Sequence, residues 1–290
     1  MRLAALSYGH GVDPARITGR VAGVFPHACV IRCDDGATLT LVPREAGSLP
    51  GGIVVDAPNG FSFAAIVNDV RADARAGILR FAGFELSVDL RHAKAWRSRL
   101  DAIGLDLTRV DSCAAWDGAA AVLAADGRAG IFAHQAVPSI LALPATTSAA
   151  STLIGLGQGS TPDGDDFLVG YLGALRAVAR DGGRRALLAA LGQTIADAAH
   201  RTVWISRTYL AAAGVGEVSE RLTGVIAALA SGSSAETGRA ARAVLAVGHS
   251  SGACGLLGVL AGAVAWDAPE RAAGLLKAVV TPEPIPMVPA

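Results

Sequence analysis

Residues Gly155 to Asp166 read Gly-Leu-Gly-Gln-Gly-Ser-Thr-Pro-Asp-Gly-Asp-Asp, which sets spaced glycines, two hydroxyls and three carboxylates just ahead of an apolar segment. Glycine accepts positive φ and lets a ligand come close to backbone N–H groups. Gly157 and Gly159 are therefore candidate anion-binding positions, with Ser160, Thr161 and Gly164 beside them. Thr161-Pro162 has the pattern of an N-cap followed by proline at the first helical position, and Asp163 with Asp166 three residues later has that of a capping box. A helix N-terminus favours anions. Asp163, Asp165 and Asp166 bring negative charge to the same place, so the motif points to phosphate together with a metal, or to carboxylates acting alone. The competing structural reading is that the aspartates cap the helix and complement its dipole while the glycines only make a turn. Neighbouring helical side chains diverge by ~100°. Asp165 and Asp166 should therefore do different jobs, Asp165 as the ligand-side group and Asp166 in part as a cap.

Two further groups carry polar chemistry. Thr202, Ser206 and Leu210 fall four apart, so both hydroxyls would share one helix stripe, with Arg201 and Arg207 nearby. Such a stripe lines a ligand cleft or bonds its own helix carbonyls. Gly248-His-Ser-Ser-Gly252 places His249, Ser250 and Ser251 at a break between two apolar helices, a second helix-terminal anion loop with a titratable ring. His10, His27, His92, His134 and His200 have no partner pattern and are read as structural. A Ser-His-Asp triad is set aside, because no Gly-x-Ser-x-Gly elbow follows a strand.

The elements that must position these groups fall in two blocks. From Arg20 to about Leu90, extended runs alternate with turn residues: Val21–Arg32, Thr38–Val42, Ile53–Val55, Phe61–Val67 and Ile78–Val88, with Asp34-Asp35-Gly36 as a hairpin signal. Leu39 and Leu41 alternate with Thr38 and Thr40 as in a half-buried strand. Past His92 the hydrophobic period becomes helical. Helices are expected over Ala93–Ile103, Asp111–Ala125, Asp166–Ala179, Arg184–Ala199, Trp204–Ala213, Glu217–Ala230, Ala235–Val247, Gly252–Trp266 and Pro269–Val279, while Val137–Thr152 is ambiguous. Phe167, Tyr171, Leu175 and Val178 make one apolar stripe behind the glycine loop. The expected fold class is α+β: a small β barrel or sandwich domain over residues 1–90, then a mainly α-helical domain over 91–290 that carries the site. The proline-rich tail from Thr281 is an extended strap or a loose end.

The 290 residues suffice for one large domain or two ordinary ones. The 25 basic and 25 acidic residues cancel without a run of like charge, which removes the electrostatic case for nucleic acid or an acidic membrane surface. A hydrophobic content of 52% with 5% aromatic leaves Ala, Leu, Val and Gly to fill the interior, which suits closely packed helices. The longest apolar run, Gly252–Trp266, is shorter than the ~20 residues of a bilayer span. The N-terminus lacks a signal-peptide core, so a cytoplasmic protein is expected. Four scattered cysteines fit reduced thiols and offer no zinc spacing, although Cys29 and Cys33 would share a strand face.

The three motifs together, Gly155 to Gly170, Thr202-x-x-x-Ser206-x-x-x-Leu210 and Gly248 to Gly252, resemble the AllH family over most of residues 20–265. The first motif is specific; the other two are weak alone. The resemblance implies a subunit of a carbamoyltransferase of the oxamate type, which works with two partner subunits in anaerobic purine (allantoin) breakdown and exchanges a carbamoyl group between oxalurate and phosphate. It implies amides of Gly157 and Gly159 with the Thr161 hydroxyl on ligand oxygens, and Asp165 and Asp166 holding Mg²⁺ or orienting the carbamoyl amine. His249 would shuttle a proton or donate to phosphate, and Ser160, Gly164, Thr202, Ser206, Ser250 and Ser251 would complete the ligand shell. No organic cofactor is evident. Ser160, Asp163 and Ala253-Cys254 depart from the family pattern, which usually has an apolar residue, a small polar residue and an aromatic-Asp pair at those places. The alternatives are a metal-dependent amide or phosphoester hydrolase using the two aspartates, and a non-catalytic assembly subunit.

Overall fold

The computed structural model describes residues 1–280, and the tail reading from Thr281 lies outside them. The chain divides into two compact units, Met1–Ser98 with Glu217–Glu220, and Arg99–Gly216 with Arg221 onward.

The first unit is a closed β-barrel. Its strands are β1 (Arg2–Tyr8), β2 (Thr18–Phe25), β3 (Ala28–Cys33), β4 (Thr38–Pro43), β5 (Gly52–Asp56), β6 (Arg71–Arg75), β7 (Ile78–Phe81), β8 (Ser87–Asp89) and the short β9 (Lys94–Ala95). They run in the order β5-β4-β3-β2-β6-β7-β8-β1-β9, and an antiparallel β1–β5 pairing with Ala5 opposite Val55 closes the ring. Every second residue points inward, so Leu3/Ala5, Cys29/Ile31, Leu39/Leu41, Ile53/Val55, Leu79/Phe81 and Val88/Leu90 fill the interior.

The structure corrects several sequence expectations here. Val21–Arg32 is two strands joined at Pro26-His27, and β1 and β6 were not expected. Phe61–Val67 is not a strand: Ser62 Oγ caps a 3-10 turn by accepting from Ala64 N at 3.2 Å, and Phe63 and Ile66 drop into the barrel core. Thr38 and Thr40 are buried along with Leu39 and Leu41, so β4 is covered on both faces. Ala93–Ile103 is not a helix. Lys94–Ala95 instead adds to β1, and Arg99 at φ 51° breaks any helical continuation before a 3-10 turn at Leu100–Ala102. The Asp34-Asp35-Gly36 turn does join β3 to β4, with Asp35 Oδ1 accepting from Ala37 N at 2.9 Å.

The second unit is helical: α1 (Val110–Asp126), α2 (Gly130–Ala142), α3 (Ser148–Leu153), α4 (Asp163–Val178), α5 (Gly182–Ala198), α6 (Trp204–Gly214), α7 (Glu220–Ser231), α8 (Ser234–Leu245), α9 (Ser251–Val264) and α10 (Pro269–Val280). The ambiguous Val137–Thr152 stretch is the end of α2 and most of α3. Helix α7 starts at Glu220, later than expected; Glu217 and Glu220 belong to the first unit, where they accept from Ser98 N and Ser48 N. Asp181 caps α5 through Arg184 N, and Ser233 caps α8 through Glu236 N. No helix of the described residues is long and apolar enough to cross a membrane.

The centre of this unit is a backbone-to-backbone crossing of α4 and α9. All residues of α9 from Gly252 to Val264 are buried, as expected of a helix that is apolar all round. A Cβ on Gly170 would lie 2.0 Å from Gly255 O, and one on Gly258 would lie 2.0 Å from Phe167 O. Gly262 meets Tyr171 in the same way, so the contacts advance along both helices in the same direction. The two helices run parallel with their N-termini side by side. Gly170→Ala or Gly258→Ala is therefore expected to cost about 1–3 kcal/mol, as overpacking does. Gly118→Ala in α1, where an added Cβ meets nothing within 4 Å, should instead stabilise by about 0.5–1 kcal/mol. Thermal melts that shift the same way for both substitutions would refute the crossing.

Candidate functional site

The site grows from these two adjacent helix ends. Ile154 ends α3 in an extended conformation, and the chain then passes Gly155, Gly157 and Gly159 at φ 74°, 108° and 99° before entering α4. A side chain at Gly157 would run into Asp163 N at 2.8 Å, whereas Gly159 faces open space. The N–H groups of Gly157 through Thr161 have no partner among the described residues, and Gly157 to Ser160 are exposed. This is a strip of free backbone donors at a helix N-terminus.

The expected cap does not form. Pro162 is the N-cap of α4, and no side chain caps it. Thr161 Oγ1 instead pairs with Ser251 Oγ at 2.8 Å, and Ser250 Oγ donates to Asp163 Oδ1 at 2.6 Å. The Thr161 hydroxyl, which a local pattern assigns to capping, is drawn to the neighbouring helix end. Gly164, expected at the ligand, is buried: its N–H donates to Leu156 O at 2.9 Å, and a Cβ there would lie 1.9 Å from Leu153 O.

Asp165 and Asp166 point to different neighbours. Asp165 is 1% exposed, its Oδ1 accepts from Gly155 N at 2.9 Å, and its Oδ2 accepts from Thr202 Oγ1. Burial raises its pKa, while Thr202, Gly155 and the adjacent Ser206 hydroxyl pull it back. Ser206 Oγ lies beside this carboxylate yet is fully buried without closing a hydrogen bond of normal geometry. Thr202 is not on the α6 stripe, since it ends a 3-10 turn two residues before the helix begins at Trp204. Only Ser206 sits on α6, but both hydroxyls converge on Asp165.

Asp166 makes no cap. Its Oδ2 is buried without a hydrogen-bond partner among the described residues. Burial pushes its pKa up to about 7, with the charges of Asp165 and Asp163 adding to the rise. The Ser251 and Thr161 hydroxyls lower it in part, but they are bonded to each other. Cys254, noted in the sequence only as a departure from the family pattern, also lies here. Its thiol is buried against Asp163 and Asp166, and burial followed by those two charges drives its pKa upward. Its place two residues after Gly252 was the available signal.

His249 is exposed, and its carbonyl accepts from Arg128 Nη1 at 2.9 Å. Ser160 is likewise exposed. Each oxygen of Asp165 already accepts one hydrogen bond within the protein. Among the described residues no three His, Cys, Asp or Glu side chains gather as a metal set. What the arrangement can do is bind ligand oxygens on free N–H groups beside one carboxyl that titrates near neutrality.

No curated protein and no solved structure matches the chain. Residues 153–263, a narrower span than the resemblance read from the motifs, match the model of a family described as oxamate carbamoyltransferase subunit AllH. That span runs from the end of α3 to the last turn of α9 and contains all three motifs, so the chain is recognised as AllH-like in the part that builds this site.

Proposed function

We propose that this chain is the subunit of an oxamate-type carbamoyltransferase that holds phosphate or carbamoyl phosphate on the Gly157–Thr161 backbone, with Asp166 as the proton-transfer group. The observation that carries this reading is the buried, unpartnered Oδ2 of an Asp166 carboxyl that faces the Ser251 hydroxyl and the Thr161 hydroxyl at the end of that strip of free N–H groups. A carboxyl poised near the working pH serves as acid in one direction and base in the other. In the direction of phosphate carbamoylation, an oxygen of hydrogen phosphate attacks the carbamoyl carbon of oxalurate and the bond to the amide nitrogen breaks. Asp166 then relays the proton lost by phosphate to that nitrogen, which leaves as the amide of oxamate. The paired dipoles of α4 and α9 favour the charge that develops on oxygen. Ser250 and Ser251 line the α9 side, and His249 stands at the solvent edge. The family's description as a subunit implies partner chains, and the exposed stretch from Gly157 to Ser160 is open to one.

Phosphate or carbamoyl phosphate at millimolar concentration is expected to raise the melting temperature of the chain, since a ligand that binds only the native state stabilises it by mass action. The titration is run with and without Mg²⁺. No shift in either condition would favour a non-catalytic assembly subunit over a ligand site.

A further inference from the structure

We propose that Arg201 and Arg207 form a carboxylate-recognising edge of this site and set its preference for an amide substrate that also carries a carboxylate. The inference rests on the carbamoyltransferase reading and deepens it. Elsewhere in the helical unit, Arg128, Arg176, Arg180, Arg184 and Arg271 each form an ion pair with an aspartate, while Arg109 and Arg185 bond to backbone carbonyls away from the glycine loop. Arg201 and Arg207 have no carboxylate partner among the described residues. Both are held by neutral acceptors only: Arg201 Nη1 donates to Ser151 O at 2.8 Å, and Arg207 donates from Nε to Thr202 O and from Nη2 to His200 O, each at 3.0 Å. These bonds orient the two guanidinium groups without neutralising them, and each keeps N–H groups free for a bidentate anion.

Their placement ties them to the loop. Thr202, between the two arginines, donates to the Asp165 carboxylate that also holds Gly155 N. Arg201 O lies where a Cβ on Gly155 would meet it at 3.0 Å, and the Arg201 side chain reaches back to Ser151 in α3, one turn before the loop begins. The 200–202 turn is thus the wall behind Gly155, on the Asp165 side of α4, while Asp166 and the α9 hydroxyls lie on the other side. An anionic acid approaching Asp163, Asp165 and Asp166 meets repulsion that a counter-charge at this flank would offset. A ligand spanning the loop would place its carbamoyl or phosphate end toward α9 and its carboxylate toward Arg201 and Arg207.

Calorimetric titration of the full chain with oxamate, with its neutral analogue oxamide, and with inorganic phosphate tests this. Wild type should bind oxamate at least about tenfold tighter than oxamide. Arg201→Gln should abolish most of that preference while leaving the phosphate affinity in place. Arg207→Gln also removes bonds to two carbonyls and can weaken the fold, so Arg207→Lys is measured beside it. Lys keeps the charge but loses the fork, and should retain an intermediate preference. A purely structural role would lower affinity for both amides alike and leave their ratio unchanged. Phosphate binding with an unaltered oxamate-to-oxamide ratio in Arg201→Gln and Arg207→Lys overturns the arginine assignment alone. Failure of wild type to bind either phosphate or oxamate removes the carbamoyltransferase reading and this edge with it.

Discussion

Replacing Asp165 by alanine is expected to destabilise the helical unit by about 3 kcal/mol, whereas Asp165→Asn should change stability by less than about 1 kcal/mol. The carboxylate joins two segments far apart in sequence, Gly155 N at the start of the glycine loop and Thr202 Oγ1 beyond α5, beside the Arg201 bond to Ser151 O. Alanine leaves both polar groups buried and unpaired, and each such group costs about 1–3 kcal/mol. Asparagine is nearly the same shape. Its oxygen still accepts from Gly155 N, its amide donates toward Thr202, and the Thr202 hydroxyl rotates to accept. Burial has raised the pKa of Asp165, so the neutral amide also avoids a charge that the site disfavours. Urea melts of both variants decide it. Equal losses for Ala and Asn would mean that the charge matters rather than the hydrogen-bonded geometry, and would return Asp165 to the ligand-side role read from sequence.

The reading of Asp165 from sequence shows which signals a chain displays locally and which it does not. Helices α1, α4, α5, α6, α8, α9 and α10 were found within a few residues, because an apolar pattern of helical period and the boundary residues beside it are local properties. The glycine loop was legible for the same reason, since a glycine-spaced loop before an apolar helix is written in contiguous residues. The partners of its side chains were not legible. Thr161 fits an N-cap pattern, but Ser251, far along the chain, competes for its hydroxyl. Thr202 fits a helix stripe, but it lies before α6 and reaches Asp165 from a turn. Phe61–Val67 looks like a strand because barrel-filling residues and strand residues are equally apolar. Each misreading occurs where a partner distant in sequence outweighs a weak local preference. The glycines of α4 and α9 were visible as composition, yet only the parallel crossing explains why a methyl group at Gly170 or Gly258 has no room.

Asp166→Asn should lower turnover of the assembled enzyme by about 10²- to 10⁴-fold, the range associated with losing a positioned proton-transfer group, while raising stability above neutral pH. The sign follows from linkage. Asp166 has a folded-state pKa of about 7 against an ordinary value of 3.8, so the native state holds this proton more tightly than the unfolded chain does. Its contribution to stability is complete below about pH 4 and is lost as pH rises through about 7. One pKa unit corresponds to about 1.4 kcal/mol. Because the residue as a whole is only partly buried although Oδ2 is enclosed, solvent screening reduces the expected fall to about 1–2 kcal/mol between pH 5 and 8. The asparagine variant does not ionise and should not show this fall, so it should lag or match wild type at pH 5 and exceed it at pH 8. Turnover of wild type should change along a limb near pH 7 that is absent from the residual activity of the variant. Stability curves that run parallel for the two proteins from pH 5 to 8 would show that Asp166 keeps an ordinary carboxylate pKa, and the proton relay would then have to be assigned to another group. A variant with the expected stability gain but full turnover would leave the buried proton in place and remove it from the reaction.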